Sequence, residues 1–390
     1  MLRERGEGHE ARVTNVELFF DLVFVFAVTQ LSHTLIAHLD GGGLLRVGLL
    51  MLAVWWAWVY TAWVTNWLDP DHPAVRGMMF SLMGLGLVLS TSLPQAFDGR
   101  AVPFALAYVG LQVGRSLFMT WAGRRDDVMR RNFVRISAWL LISGAIWLTG
   151  AFADPRLRLP IWLLALGVEY AGPAFAFWVP RLGRTPTADW TVEGGHIAER
   201  CGLFIIICLG ESVLMTGATF AEAAWTASAT AAFVACLAAN VAMWWIYFNA
   251  HASAASRAIE HSNDPGRIAR IAYTYAHIPL VAGIIVTAAG IEKVMEAPLG
   301  ASDLWTTGLV LGGPALFLAG SLWFKHSVFK VISPERLSGL ALLAVAGAAA
   351  PWLSPLALAT WATGALGVVA AWETLVQPRG AHTRDGPISA

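Results

Sequence analysis

Apolar residues fall in long blocks along this chain, each about as long as a bilayer crossing, and polar residues collect in short breaks between them. The blocks run 16–38, 44–67, 75–94, 101–121, 132–152, 159–179, 196–217, 224–249, 268–291, 304–324, 335–352 and 354–375. A spanning helix needs roughly 20 mainly apolar residues. The pattern therefore predicts an all-α polytopic membrane protein of about 12 transmembrane helices. The breaks are rich in Pro, Gly and Asp: Asp69-Pro70-Asp71-His72-Pro73, Asp154-Pro155, Pro180 to Pro186, Asp264-Pro265-Gly266 and Ser354-Pro355. The last break is the weakest, a bare Ser-Pro between two apolar blocks.

Composition agrees with this reading. Of the 390 residues, 57% are hydrophobic and 13% charged. A soluble domain carries about 25% charged residues. Net charge is zero, which gives no electrostatic footprint for nucleic acid. The three cysteines, Cys201, Cys208 and Cys236, lie in apolar blocks without zinc-type spacing and are expected to be inert. The first twelve residues are charged and no small-residue cleavage site follows, so no cleavable signal peptide is expected.

Lys and Arg orient the spans. With the N-terminus inside, 19 of the 26 fall on the inner side and five on the outer. Arg115 and Arg200 remain within spans. The expected location is the cell membrane, with both termini cytoplasmic.

The chain also echoes itself. ELFFDLVFVFAVTQL from Glu17 lies where ERCGLFIIICLGESVL from Glu199 lies in the seventh span. Trp55-Trp56 with Tyr60 parallels Trp244-Trp245 with Tyr247, and Arg135 opens a segment matching that from Arg336. Glu169 in the sixth span sits where Glu373 sits in the twelfth. Six spans is an even number, so two such copies share one orientation. Parallel repeats are a transporter device with the path at their interface. The expected organisation is a first six-helix repeat over 1–190, a second over 191–378, and a disordered cytoplasmic tail over 379–390.

Charge inside the spans supplies the candidate chemistry. Ionisable residues at membrane depth are costly and normally face a protein interior or a wet path. Glu17 and Asp21 share a face of the first span, with Thr29, Gln30, Ser32 and His33 further in. In the seventh span His196, Arg200 and Glu211 lie near one face, and Glu199 adjoins Arg200. Glu169 precedes Gly172-Pro173, where a kink could free a carbonyl. Arg115 is the natural partner for Glu211 or Asp21, and the helices carrying these acids are expected to be central. Buried structural pairing of Arg115 with a carboxylate explains the same residues without any transported species. The ion or substrate path is accordingly set at Glu17, Asp21, Gln30, His33, Arg115, Glu169, Glu199, Arg200 and Glu211. No catalytic residue, cofactor or metal site is expected: HExxH, GxSxG and phosphate-loop motifs are missing.

The run ELFFDLVFVFAVTQLSHTL from Glu17 resembles the opening helix of the bacterial low-temperature-requirement A family. The run HIAERCGLFIIICLGESVL from His196 resembles that family's second hallmark. The resemblance spans nearly the whole chain. It implies a multi-pass membrane protein and little chemistry, because the family is named for a growth phenotype.

Phe19, Phe20 and Asp21 are also similar to the phenylalanine-serine-aspartate motif that opens the endolysosomal potassium-channel family. That resemblance implies two parallel six-helix copies with their first helices lining a pore. Phe20 replaces the serine, the family's initial arginine is absent, and Cys201-Gly202-Leu203 stands where a second motif belongs. The potassium ion is therefore not carried over.

The expected function is movement of a small ion or solute between the two copies, by a chain whose expected partners are membrane lipids and a second copy as a homodimer. The alternative is a membrane-embedded enzyme or sensor acting on a lipid or isoprenoid-like substrate. Such chemistry needs a carboxylate and histidine cluster opening sideways to the bilayer.

Overall fold

The computed structural model describes residues 1–3, 12–186, 192–249 and 264–376. Twelve long helices account for almost all of them. They are α1 Asn15–Ala37, α2 Gly41–Trp67, α3 Pro73–Ser92, α4 Ala101–Ala122, α5 Asp127–Phe152, α6 Pro155–Ala174, α7 Gly194–Glu222, α8 Ala227–Phe248, α9 His277–Glu296, α10 Leu304–Phe329, α11 Pro334–Ala349 and α12 Pro355–Val376. Each apolar block thus forms one helix, and the chain is an all-α polytopic membrane protein. The proposed tail over 379–390 lies outside the described residues.

The helices start where side chains can take the free N–H groups of a first turn. Asp40 accepts from Gly43, Asp126 from Val128 and Met129, Asp154 from Arg156, and Asp303 from Thr306. Among the described residues, ten helices are long and apolar enough to cross a bilayer. The other two are α6 and α11. Arg156, Arg158 and Pro160 dilute the apolar run of α6, and α11 has only 16 residues.

Neighbour relations follow a pattern. In the first half α1 packs on α2 and α3, α4 on α2, α3 and α5, and α6 on α5 and α2. In the second half α7 packs on α8 and α9, α10 on α8, α9 and α11, and α12 on α11 and α8; α12 also packs on α10, and α9 on α8 and α12, without a counterpart in the first half. The halves meet through α1 and α2 against α7 and α9.

The most enclosed helices are α2 and α9, rather than α1 and α7 as expected. The sequence explains the difference. Helix α1 turns Phe19, Leu22 and Phe26 outward, as a lipid-facing stripe, while its opposite face buries Glu17, Asp21, Phe24 and Val28. Helix α2 carries Trp55, Trp56 and Trp58, all at most 1% exposed.

Close approach of α9 and α10 depends on glycine. A Cβ on Gly283 would stand 2.5 Å from the Phe317 nitrogen, and one on Gly313 would stand 2.4 Å from Thr287 Oγ1. Small residues at a crossing let two membrane helices pack backbone to backbone.

Before α9 the chain runs through a short helix, Pro265–Ala269, and a π-helical turn, Arg270–Tyr275. The wider turn releases carbonyls from the ordinary ladder. Three of them find side-chain partners: His277 Nδ1 donates to Ala272, Cys201 Sγ to Tyr273, and Trp55 Nε1 to Thr274.

Candidate functional site

Helices α1 and α7 run side by side and parallel, and their polar residues meet in order along the seam. Glu17 meets His196, Asp21 meets Arg200, Thr29 meets Glu211, and His33 meets Met215. At 1.5 Å per residue the first and third of these contacts are roughly 18 Å apart in depth.

The cluster at the N-terminal end is the densest. Glu17 Oε2 accepts from the Thr14 N–H at 2.9 Å and the Thr14 hydroxyl at 3.0 Å, closing the start of α1. The same oxygen lies 3.3 Å from Arg3 Nη2, and Oε1 lies 2.9 Å from His196 Nε2. Glu17 is therefore both a helix cap and a buried ion-pair member.

The histidine tautomer follows from its neighbours. Asn66 exchanges hydrogen bonds with the backbone of Glu193, which fixes its amide orientation. Its Nδ2 then points at His196 Nδ1, 3.4 Å away. With Nδ1 accepting, Nε2 carries the hydrogen donated to Glu17 Oε1, and Arg3 Nη2, 3.2 Å from the same nitrogen and itself only a donor, bonds to Glu17 Oε2.

One turn deeper, Asp21 Oδ1 accepts from both Trp58 Nε1 and Arg200 Nη2, each at 2.7 Å. Asp21 Oδ2 is buried and has no hydrogen-bond partner. Arg200 Nε and Nη1 likewise make no hydrogen bond, although Nη1 lies 3.3 Å from Glu17 Oε1. Two carboxyls and two guanidiniums thus balance in charge while their hydrogen-bonding capacity stays only partly used. Buried polar groups are usually satisfied, so this seam holds capacity in reserve.

Further along, Thr29 Oγ1 donates to Glu211 at 2.5 Å. Glu211 is 3% exposed. Gln30 is half-buried on α1 and His33 is exposed at the far rim. Glu199 is exposed and accepts from the Val13 N–H at 3.1 Å, although the repeat alignment sets it opposite the buried Glu17.

Arg115 and Glu169 lie elsewhere, within the first half. Arg115 Nη1 donates to the Ala57 carbonyl and to Thr61, and Nη2 donates to Gln112 Oε1. Gln112 Nε2 in turn donates to Glu169, which also accepts from Tyr108, Ser143 and Trp147. Arg115 is thus linked to Glu169 through Gln112, and it does not pair with Asp21 or Glu211. The reason is placement: α4 packs on α2, α3 and α5, away from the seam. Gly172-Pro173 ends α6 just beyond Glu169, and the Pro173 carbonyl accepts from Arg270 at 3.0 Å.

A third buried cluster occupies the second half. Arg336 and Lys325 both reach Glu335 and Glu373, so charges of each sign alternate. All three cysteines are free and buried. No group of three metal-ligating side chains occurs among the described residues.

Sequence reasoning missed Arg3, which it counted only as a positive charge. A short bridge between Leu2 and Leu68 holds the N-terminus against the end of α2 and carries Arg3 to Glu17. No local pattern announces that bridge, because its contacts join residues 62 to 66 positions apart.

The family model for the bacterial low temperature requirement A protein (LtrA) matches residues 12–371. An uncharacterized protein of Rhizobium meliloti (strain 1021) is 40% identical over 361 residues, covering 92% of this chain and 88% of the relative. No solved structure matches. Both hallmark runs, from Glu17 and from His196, therefore face each other across the α1–α7 seam, and the chain belongs to the bacterial low temperature requirement A family.

Proposed function

We propose that the protein moves a small ion across the cytoplasmic membrane along the α1–α7 seam. The observation that carries this reading is the partly used pairing of Asp21 and Arg200. One oxygen of Asp21 bears both donors, while the other oxygen and two Arg200 donors stay without hydrogen bonds. A purely structural pair would gain by using them, since each unmet buried group costs on the order of 1–3 kcal/mol. Unused capacity at membrane depth suits a site that exchanges partners with a passing ion.

A two-copy organisation, part of the same proposal, agrees with this reading. The neighbour relations of α1–α6 recur in α7–α12, and α1 and α7 hold corresponding places in them. We take the seam between residues 1–190 and 191–378 as the path. Conduction requires α1 and α7 to part, breaking the Arg200–Asp21 and Thr29–Glu211 contacts. Glu17, Asp21, Arg200 and Glu211 are the path residues; Gln30, His33 and Glu199 flank it. Arg115 and Glu169 act as a structural network behind it. Chemistry on a lipid-like substrate is disfavoured because Glu17, His196 and Arg200 are at most 1% exposed and do not open sideways.

The test is reconstitution in liposomes with flux assays for protons, sodium, potassium and small anions. The expected result is flux of one of these that Asp21→Asn lowers at least tenfold. Absence of flux for every ion, from protein shown to be folded, overturns the proposal.

A further inference from the structure

A cavity of about 80 Å³ lies between α2, α5, α6 and the π-turn that precedes α9. Its walls are aromatic. Trp56, Tyr60, Trp63 and Trp67 line it from one face of α2, and Phe133 and Phe177 close the other side. Flat ring faces at such spacing suit a planar ring, which gains from edge and face contacts beyond area alone.

The polar groups at this cavity are donors. Arg270 lines the cavity and spends one N–H on the Pro173 carbonyl. No carboxylate lies within ion-pair distance of it among the described residues. Thr274 Oγ1 accepts from Trp63 Nε1 at 2.9 Å, which leaves its own hydroxyl hydrogen. A second guanidinium, Arg115, stands behind the wall, 5.5 Å from the Tyr60 ring centre. An aromatic cage would otherwise suit a cation, but two nearby guanidiniums oppose one. A guanidinium fork matches a carboxylate better than a neutral acceptor.

We infer that this cavity binds an aromatic carboxylate, with its ring against Tyr60 and Trp63 and its carboxylate on Arg270. The cavity opens outward on one side, so the ring need not be wholly enclosed. Binding here would hold whether or not the α1–α7 seam conducts.

The test uses the full-length protein in lipid nanodiscs and three probes of similar size: benzoate, benzyl alcohol and benzyltrimethylammonium. Ligand-observed NMR with titration gives the affinities. Benzoate should bind at least tenfold more tightly than either other probe. Arg270→Gln should remove that preference, and Arg270→Lys should retain part of it. Unfolding midpoints of the variants identify any that fail to fold, and the probe comparison on the unaltered protein stands without them. Equal binding of all three probes, preference for the ammonium, or no benzoate binding overturns the inference.

Discussion

Arg200 and Asp21 lie on parallel helices from opposite halves of the chain, 2.7 Å apart and shielded from solvent. Glu17 is 3.3 Å from the same guanidinium. Removing the cation leaves two buried carboxyls, of which Arg3 and His196 reach Glu17 and not Asp21. Breaking a buried pair from one side costs about 3–5 kcal/mol. Arg200→Leu should therefore lower the unfolding midpoint strongly. The double change Asp21→Asn with Arg200→Gln should cost less than the sum of its parts, by about 0.5–3 kcal/mol of coupling. Simple additivity in chemical denaturation would contradict the pairing.

Glu169 collects four side-chain donors and no direct cation. Glu169→Leu strips their acceptor at one stroke. With about 1–3 kcal/mol for each group left unmet and partial rearrangement, the loss should reach several kcal/mol. Arg115→Leu should also destabilise, yet leave any flux through the seam in the folded fraction unchanged. A flux defect without a stability defect would move Arg115 into the path.

The glycine crossing of α9 and α10 offers a test independent of charge. Gly313→Val places branched carbon where Thr287 and the Gly283 carbonyl already stand, the nearest atoms at 2.4 and 2.9 Å from the added Cβ. Overpacking typically costs about 1–3 kcal/mol. Gly312→Val, whose added Cβ meets nothing within 4 Å, should be near neutral. Thermal unfolding of the two variants side by side reads the difference directly.

We propose that orientation follows the Lys/Arg split, with the α4–α5 loop cytoplasmic. A single cysteine placed at Arg125, between α4 and α5, should stay unlabelled by an impermeant maleimide in intact cells and react after lysis. The native cysteines are buried and give little background. Labelling in intact cells would reverse the proposed topology.

Much of this molecule could be read from the chain, and the failures have a common origin. Apolar block length marks all twelve helices, because a bilayer crossing sets a length, and Asp or Pro marks several of the starts. The acids Glu17, Asp21 and Glu211 are buried, as the cost of lipid exposure requires. Partner choice was the unreadable part. Arg115 was assigned to Asp21 or Glu211 by charge alone, whereas helix placement links it to Glu169 through Gln112. Arg3 and Asn66 join the seam through contacts spanning 14 to 193 positions. The π-turn had no signal either, since its stabilising partners Trp55 and Cys201 lie on other helices.

That turn has a genetic consequence. A π-turn differs from an α-turn by one residue, so deleting a single codon within 270–275 would tighten it. The segment Pro265–Ala269 would then swing by about 100° and shift by about 1.5 Å relative to α9. Arg270 would leave the Pro173 carbonyl, and the oxygens now held by Trp55, Cys201 and His277 would return to the helix ladder. One codon in this stretch thus separates a helix that merely crosses the membrane from one that carries an arginine to an aromatic cavity.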